Sequence, residues 1–413
     1  MSIYFTSIPK NRFLFRLSDD TIFSMKKLFQ FNWSALFVLY VLSFIVTFSS
    51  SLPNYISSTF LSGLTSEQLT GFIFALCSAL TLVVFIYTPA LFRKYGNYKL
   101  TLFLCAITFA ALFGITFSKN IFIILVCFVA SYISTSVITL CLDIFIEHNS
   151  TNTNTGEVRS FYLTAVNLAW LISPWLSGLL VGTDSFWKVY LAATAVMIPT
   201  MLIVSYNLKG FKDPEYSELK LKGTVREIWN NKNIRSIFVS NFLLQFFFAW
   251  MMIYTPIYLN KYIGFDWVSI GIIFTFMLAP FVFIQAPAGE LADRKFGEKE
   301  ILSAGFIVMA ISTALISIVN NKSFLIWVIL LFLTRIGAAM VQVMSDTYFF
   351  KSIGEKNINI ITMYRFMAPL AYAIAPIVAI IFLMYFKIGY IFFALGFLML
   401  FGLRYSLAIV DTK

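Results

Sequence analysis

Charged residues are scarce in this chain: they make up 12% of its 413 residues, against roughly 25% in an ordinary soluble domain. That leaves too little polar surface to cover a water-soluble fold, so lipid is the expected solvent. Histidine is nearly missing. The single one, His148, stands beside Glu147 in a polar stretch and reads as a loop residue, which leaves no basis for a His-based metal site or a catalytic triad. The four cysteines, Cys77, Cys105, Cys127 and Cys141, fall in apolar runs without CxxC spacing. Neither a zinc site nor a disulfide framework is expected, and they read as small packing residues. P-loop glycine patterns are missing, which argues against an ATP-driven pump on this chain alone. The first 33 residues hold basic residues but no compact apolar core followed by a small-residue cleavage site. The first membrane helix is therefore expected to serve as an uncleaved insertion signal. No metal and no cofactor is implied.

What the chain has in abundance is apolar length. It is 60% hydrophobic and 18% aromatic, with a mean hydropathy of +0.85. Runs of about 20 apolar residues, enough to cross about 30 Å of hydrocarbon, recur at 35–60, 69–92, 100–117, 121–146, 159–182 and 185–208. After a polar stretch they resume at 234–260, 267–291, 301–319, 324–349, 359–384 and 388–410. These are spans 1 to 12. The division expected is a terminal segment 1–33, a six-helix bundle 34–208, a linker 209–233 and a second bundle 234–413.

Lysine and arginine set the orientation. One side of the spans receives Lys10, Arg12, Arg16, Lys26 and Lys27, then Arg93, Lys94 and Lys99, the basic residues of the linker, Arg294, Lys295 and Lys299, and Lys351 and Lys356. The other side receives isolated Lys119, Lys188, Lys261, Lys322 and Lys387. Both termini and the linker are thus expected to be cytoplasmic, in a multi-pass protein of the cell membrane. The net charge of +11 reads as a topology signal, and no nucleic-acid partner is implied.

Landmarks of the first half return in the second at a nearly constant offset. Pro53 and Pro256 lie 203 apart, Gly71 and Gly271 200, Arg93-Lys94 and Arg294-Lys295 201, Asp143 and Asp346 203, and Pro174 and Pro376 202. Each half holds an even number of spans, so the copies run parallel. The expected fold is an all-α integral membrane protein of about twelve transmembrane helices in two parallel, pseudo-symmetric six-helix bundles, a repeat class found in secondary transporters.

After span 8 the chain reads Gly289-Glu290-Leu291-Ala292-Asp293-Arg294-Lys295-Phe296-Gly297-Glu298-Lys299. This resembles the glycine–aspartate–arginine–glycine loop motif of the major facilitator superfamily, and with the topology and the repeat the resemblance covers essentially the whole chain. It implies transport of a small-molecule solute by alternating access, contact with membrane lipids, and a monomer. Physically, Gly289 would let helices approach and Gly297 would permit a tight reversal. Asp293 would meet a helix N-terminus and nearby arginines; the resemblance puts that partner around Gly156, Glu157 and Arg159. The alternative is that Asp293, Arg294 and Lys295 are solvated loop charges. The first-half copy departs from the pattern: Thr88 and Phe92 replace the glycine and the aspartate, while Arg93, Lys94 and Gly96 remain. A substitute latch is expected from Arg93 or Lys94 to Asp346 or Glu355.

A charge at membrane depth is costly and marks a candidate site. Arg335, halfway along span 10, is the sharpest case: either a cavity-facing cation that binds an anionic or strongly polar substrate group or tunes a proton site, or a structural arginine hydrogen-bonded to carbonyls between helices. In the family resembled, spans 1, 4, 7 and 10 line the cavity. Their polar residues are Thr47 and Ser50, Tyr132 and Thr135, Asn241 and Gln245 with Trp250 and Tyr254 at the same four-residue spacing, and Gln342. The bland alternative for each is interhelical hydrogen bonding. Arg365, Arg404, Asp143, Glu147 and Arg159 lie nearer the cytoplasmic ends and suit gate or structural roles.

No Asp or Glu falls near the middle of a span, which argues against a central carboxylate coupling site and a deep pocket for cationic drugs. Ser173-Pro174 with Ser177-Gly178 weakly resembles the Gly-Pro motif of antiporters, which keeps a proton-coupled efflux antiporter of amphiphilic compounds in play. A non-transporting receptor or scaffold on a transporter fold is a further alternative. An enzyme would need a nucleophile, a metal set or clustered acids, and none is evident.

Overall fold

A computed structural model describes residues 33–149, 155–183, 185–214, 216, 221–294, 296–353 and 358–410. Nearly every described segment is helical because, in hydrocarbon, only a helix satisfies its own backbone donors and acceptors. Spans 1 to 6 are Trp33–Leu64, Glu67–Tyr95, Asn97–Phe117, Ile121–His148, Thr155–Val181 and Phe186–Asn207. Span 7 is Lys232–Ile257, continued by a π-helical turn Tyr258–Ile263. Span 9 is Glu298–Ile316, span 10 Phe324–Ile353 and span 12 Tyr390–Ser406. Among the described residues, ten helical stretches are long and apolar enough to cross a membrane by themselves.

Two spans differ from the continuous helices expected. Span 8 is broken into Trp267–Leu278, Pro280–Phe283 and Gln285–Arg294, and span 11 into Ile358–Arg365 and Met367–Leu383. Each break lies within four residues before a proline, Pro280, Pro287 or Pro369. A proline ring displaces the carbonyl four residues back and offers no N–H to replace the lost bond. His148 is also not in a loop: it ends span 4, with its ring 4.8 Å from that of Phe211.

The outward surface carries large apolar side chains such as Phe37, Phe72, Phe103, Phe122 and Phe397, as contact with lipid requires. The interior holds many serines and threonines that bond back into their own helices, for example Thr101 to the Asn97 carbonyl at 2.8 Å and Thr194 to the Tyr190 carbonyl at 2.7 Å.

Packing repeats between the halves. Spans 3 and 4 pair as 9 and 10 do, 3 and 6 as 9 and 12, 1 and 5 as 7 and 11, and 1 and 6 as 7 and 12. The halves meet where span 5 packs on span 8, span 2 on span 11, and span 1 on span 7. At the crossing of spans 5 and 8 the backbones touch. A Cβ on Gly271 would stand 2.5 Å from the Pro174 carbonyl oxygen, and one on Gly178 2.4 Å from that of Trp267. On the face away from the linker, Lys261 of the π turn donates to the Ser62 carbonyl at 3.4 Å and lies 4.0 Å from Glu67, which also accepts from Tyr262 at 3.2 Å.

The stretch between the bundles is not a free coil throughout. Phe211 packs on Phe145 at 4.6 Å, and Tyr216 stacks on Phe92 at 4.9 Å, both in the first half. The following helix, Leu221–Asn230, packs on span 7 and on Ile358–Arg365 in the second half.

Gly271→Val should part the seam between spans 5 and 8, because backbone atoms cannot yield as a side chain does. In a background without native cysteines, a cysteine at position 54 should then react faster with an impermeant maleimide added on the face opposite the linker. An unchanged rate would show that the seam tolerates the branch.

Candidate functional site

The polar residues of span 1 recur at helical spacing, Ser50, Asn54 and Ser57, and those of span 4 do the same, Tyr132, Ser136 and Thr139 beside Ser131 and Thr135. In otherwise apolar helices such stripes turn toward each other, away from lipid. They form one wall of a central cavity of about 470 Å³. Phe74, Phe85, Phe128 and Trp170 add aromatic faces, while Gln245, Met252 and Tyr372 contribute from the second half.

Of the sequence candidates for a binding role, Tyr132, Thr135 and Gln245 line this cavity, as does Ser50. Tyr132 shares a hydrogen bond with Ser78 at 3.0 Å, and Gln245 donates to the Asn241 side chain at 3.3 Å. Trp250, Tyr254 and Asn241 do not reach the cavity but are buried in packing. The Trp250 indole donates to the Ala375 carbonyl at 2.6 Å, tying span 7 to span 11, and the Tyr254 hydroxyl faces Gly71. Gln342 is half-buried and Thr47 uses its carbonyl to accept from Ser50 at 2.9 Å; neither lines the cavity.

Arg335 is 2% exposed and lies behind the wall, not on it. Its guanidinium sits 5.1 and 5.2 Å from the rings of Phe247 and Phe248. Tyr55, from the other half, and Tyr372 lie close enough to Arg335 to act on it electrostatically. Nε and Nη1 have no partner. Tyr55 in turn packs edge-on against Trp170 of the cavity wall at 6.2 Å.

The one charged residue on the cavity wall, among the described residues, is Arg365. It pairs with Asp143 across the halves at 2.9 Å, both groups partly exposed. Phe85 and Phe366 meet nearby at 6.0 Å, again across the halves. These contacts lie on the linker face and close spans 4 and 2 against span 11. Asp346, the repeat partner of Asp143, accepts from Tyr364 of its own half at 2.9 Å. Glu147 is exposed one turn beyond Asp143, and Arg404 is exposed on span 12.

The loop motif divides likewise. Gly297 has φ +109° and Gly96 φ +77°, both in the region that favours glycine. Gly289, however, has open space around its Cβ position, so close approach is not what it serves here. The side chains of Asp293, Arg294, Gly156, Glu157 and Arg159, and residues Lys295 and Glu355, lie outside the described residues. Arg93 donates to the Tyr216 carbonyl at 3.2 Å; Glu355, one of the two acids expected to latch it, is outside those residues. The carboxylate missing from the first-half copy is supplied by Asp213 of the linker. It accepts from the Asn97 N–H and from Tyr216, both at 2.7 Å, and Gly96 leaves room for it. An acid at the start of span 3 also complements the positive end of that helix. In the second half the buried Glu298, at the start of span 9, pairs with Lys351 at 2.9 Å.

Sequence reasoning missed Asn54, Ser57, Ser131 and Ser136, although their spacing carried the signal. It also missed Asp213, whose contact joins segments 116 residues apart. No group of His, Cys, Asp and Glu suited to a metal occurs among the described residues.

Two outcomes follow. A partly exposed ion pair is worth about 1 kcal/mol, or about fivefold. Asp143→Asn should therefore speed alkylation of a cysteine at position 139 from the linker face by about that factor, and the exchange of Asp143→Arg with Arg365→Asp should reverse it. Equal rates in all three proteins would remove the gate. Replacing a buried unpaired charge by a packed apolar group is neutral or stabilising. Arg335→Leu should thus keep or raise the thermal midpoint while slowing turnover. A midpoint lower by more than about 4 °C, with turnover per folded molecule intact, would make Arg335 purely structural.

Compared with known families, the chain matches the one described as Major Facilitator Superfamily over residues 33–294 and 237–411. No curated protein matches it.

Proposed function

The chain belongs to the major facilitator superfamily, and from that premise we propose that it carries a small polar organic solute across the cell membrane by alternating access. It is a multi-pass membrane protein and a secondary transporter of that superfamily; solute, orientation and gating are our reading. The observation that carries the reading is the central cavity, walled by both halves and bounded by inter-half contacts of different strength on its two faces. The face opposite the linker is held by backbone contact of Gly178 with span 8 and by the Lys261 and Tyr262 contacts. On the linker face stand the Asp143–Arg365 pair and the Phe85–Phe366 contact. A side-chain pair opens more readily than a backbone seam, so the cavity exchanges first with the linker side. Lysine and arginine bias makes that side the cytoplasm.

The solute meets spans 1 and 4 chiefly, through Asn54, Tyr132 and Thr135, with Gln245 reaching in from span 7. Rocking of one bundle against the other separates Tyr55 from Arg335, which lie in different halves, as it moves the cavity from one face to the other. The protein acts as a monomer in lipid, without a cofactor.

Purified protein in liposomes should show counterflow of a labelled solute that the cavity accepts. Asn54→Leu should raise KM about tenfold, the effect expected when a buried polar group loses its partner. A folded, monodisperse protein that gives no counterflow across a broad panel of small polar solutes would overturn the reading.

A further inference from the structure

Six hydroxyls on the cavity wall have their protons committed to carbonyls. In span 1, Ser49 donates to the Ala193 carbonyl at 2.9 Å, Ser50 to that of Thr47 at 2.9 Å, and Ser57 to that of Pro53 at 2.7 Å. In span 4, Ser131 donates to the Phe128 carbonyl at 2.9 Å, Ser136 to that of Tyr132 at 2.8 Å, and Thr139 to that of Thr135 at 3.1 Å. A carbonyl has no proton to give, so the direction of all six bonds is fixed. Tyr190, 2.9 Å from Ser57, must then be the donor in that pair. What these groups can still offer a guest is lone pairs.

Two kinds of guest fit such a wall badly. An anion needs donors, and the strongest donors nearby are withheld: Arg335 is buried off the cavity wall, and Arg365 is already paired with Asp143. A cation would enter the field of Arg335, a buried charge with no acidic partner among the described residues, in a region of low dielectric. The guest that fits is uncharged and rich in O–H or N–H donors. The amides of Asn54 and Gln245 add groups that both give and accept, and Phe74 and Trp170 supply flat apolar faces for the C–H side of such a molecule. The volume of about 470 Å³ holds on the order of fifteen waters, ample for one six-carbon solute.

We infer that the cavity selects an uncharged, donor-rich polyhydroxylated solute of monosaccharide size and rejects its anionic and cationic analogues. The inference rests on the transporter reading only for the word solute; binding tests it independently of transport.

The experiment compares binding to the full chain in detergent, followed by thermal shift and by tryptophan fluorescence. The neutral probes are glucose, mannitol and myo-inositol; the charged ones are glucuronate, glucose 6-phosphate and glucosamine. At least one neutral probe should bind at least tenfold more tightly than every charged one. Ser136→Ala should weaken that binding about three- to tenfold. Ser303→Ala, at a hydroxyl paired with Ser406 away from the cavity, should leave it unchanged and serves as the folding control. A charged probe binding as tightly as the neutral ones, or no neutral probe binding at all, would overturn the inference. Neutral binding without counterflow would keep it and sink the transport reading instead.

Discussion

A hydroxyl inside a membrane-spanning helix has no water to bond, and the carbonyl one turn back is the nearest acceptor. This constraint does more than make serine and threonine tolerable in lipid. Where the bond runs back into the residue's own helix, it gives that residue a polarity, donor inward to the helix and acceptor outward. Where the outward side faces lipid or a neighbouring helix the effect is silent. Where spans 1 and 4 face the cavity, it turns a row of nominally neutral residues into a surface of one hydrogen-bonding sign. The chemistry of the site follows from a rule about helices, with no charged side chain required.

The two halves are copies that have parted company in chemistry. The first supplies most of the cavity wall. The second holds the buried guanidinium of Arg335, set against the rings of Phe247 and Phe248 and off the cavity wall. Their loops differ too. The second half keeps an internal ion pair, Glu298 with Lys351, at the start of span 9. The first half has an amide, Asn97, at the repeat position and takes its carboxylate from the linker. Loss of the motif aspartate has thus been offset by an acid from outside the bundle.

Much of this was legible in the amino-acid sequence. Apolar length and the offset of about 200 residues were enough for twelve spans in two parallel halves, because burial in lipid leaves a signal in every residue of a span. The breaks in spans 8 and 11 were readable at Pro280, Pro287 and Pro369, once those prolines are taken as interruptions and not as ornaments of a continuous helix. The depth of Arg335 was legible, but which way it faces was not: direction around a uniformly apolar helix depends on neighbours, and here two phenylalanines and Tyr55 decide it. Gly289 shows the converse error, since a glycine in a motif invites a packing role that open space around it denies. The docking of Asp213 had no local signature, being a meeting of a linker acid with a backbone N–H far away in the chain.

That docking has a mechanical side. With Asp213 and Tyr216 fastened to the first bundle and the helix from Leu221 fastened to the second, only five residue steps of chain separate the two attachment points. A fully extended chain gains about 3.3–3.6 Å per residue, so the attachment points at Tyr216 and Leu221 can separate by at most roughly 17 Å. The linker is a short leash: it sets an upper stop on how far the bundles swing apart on that face, and the stop is built into chain length.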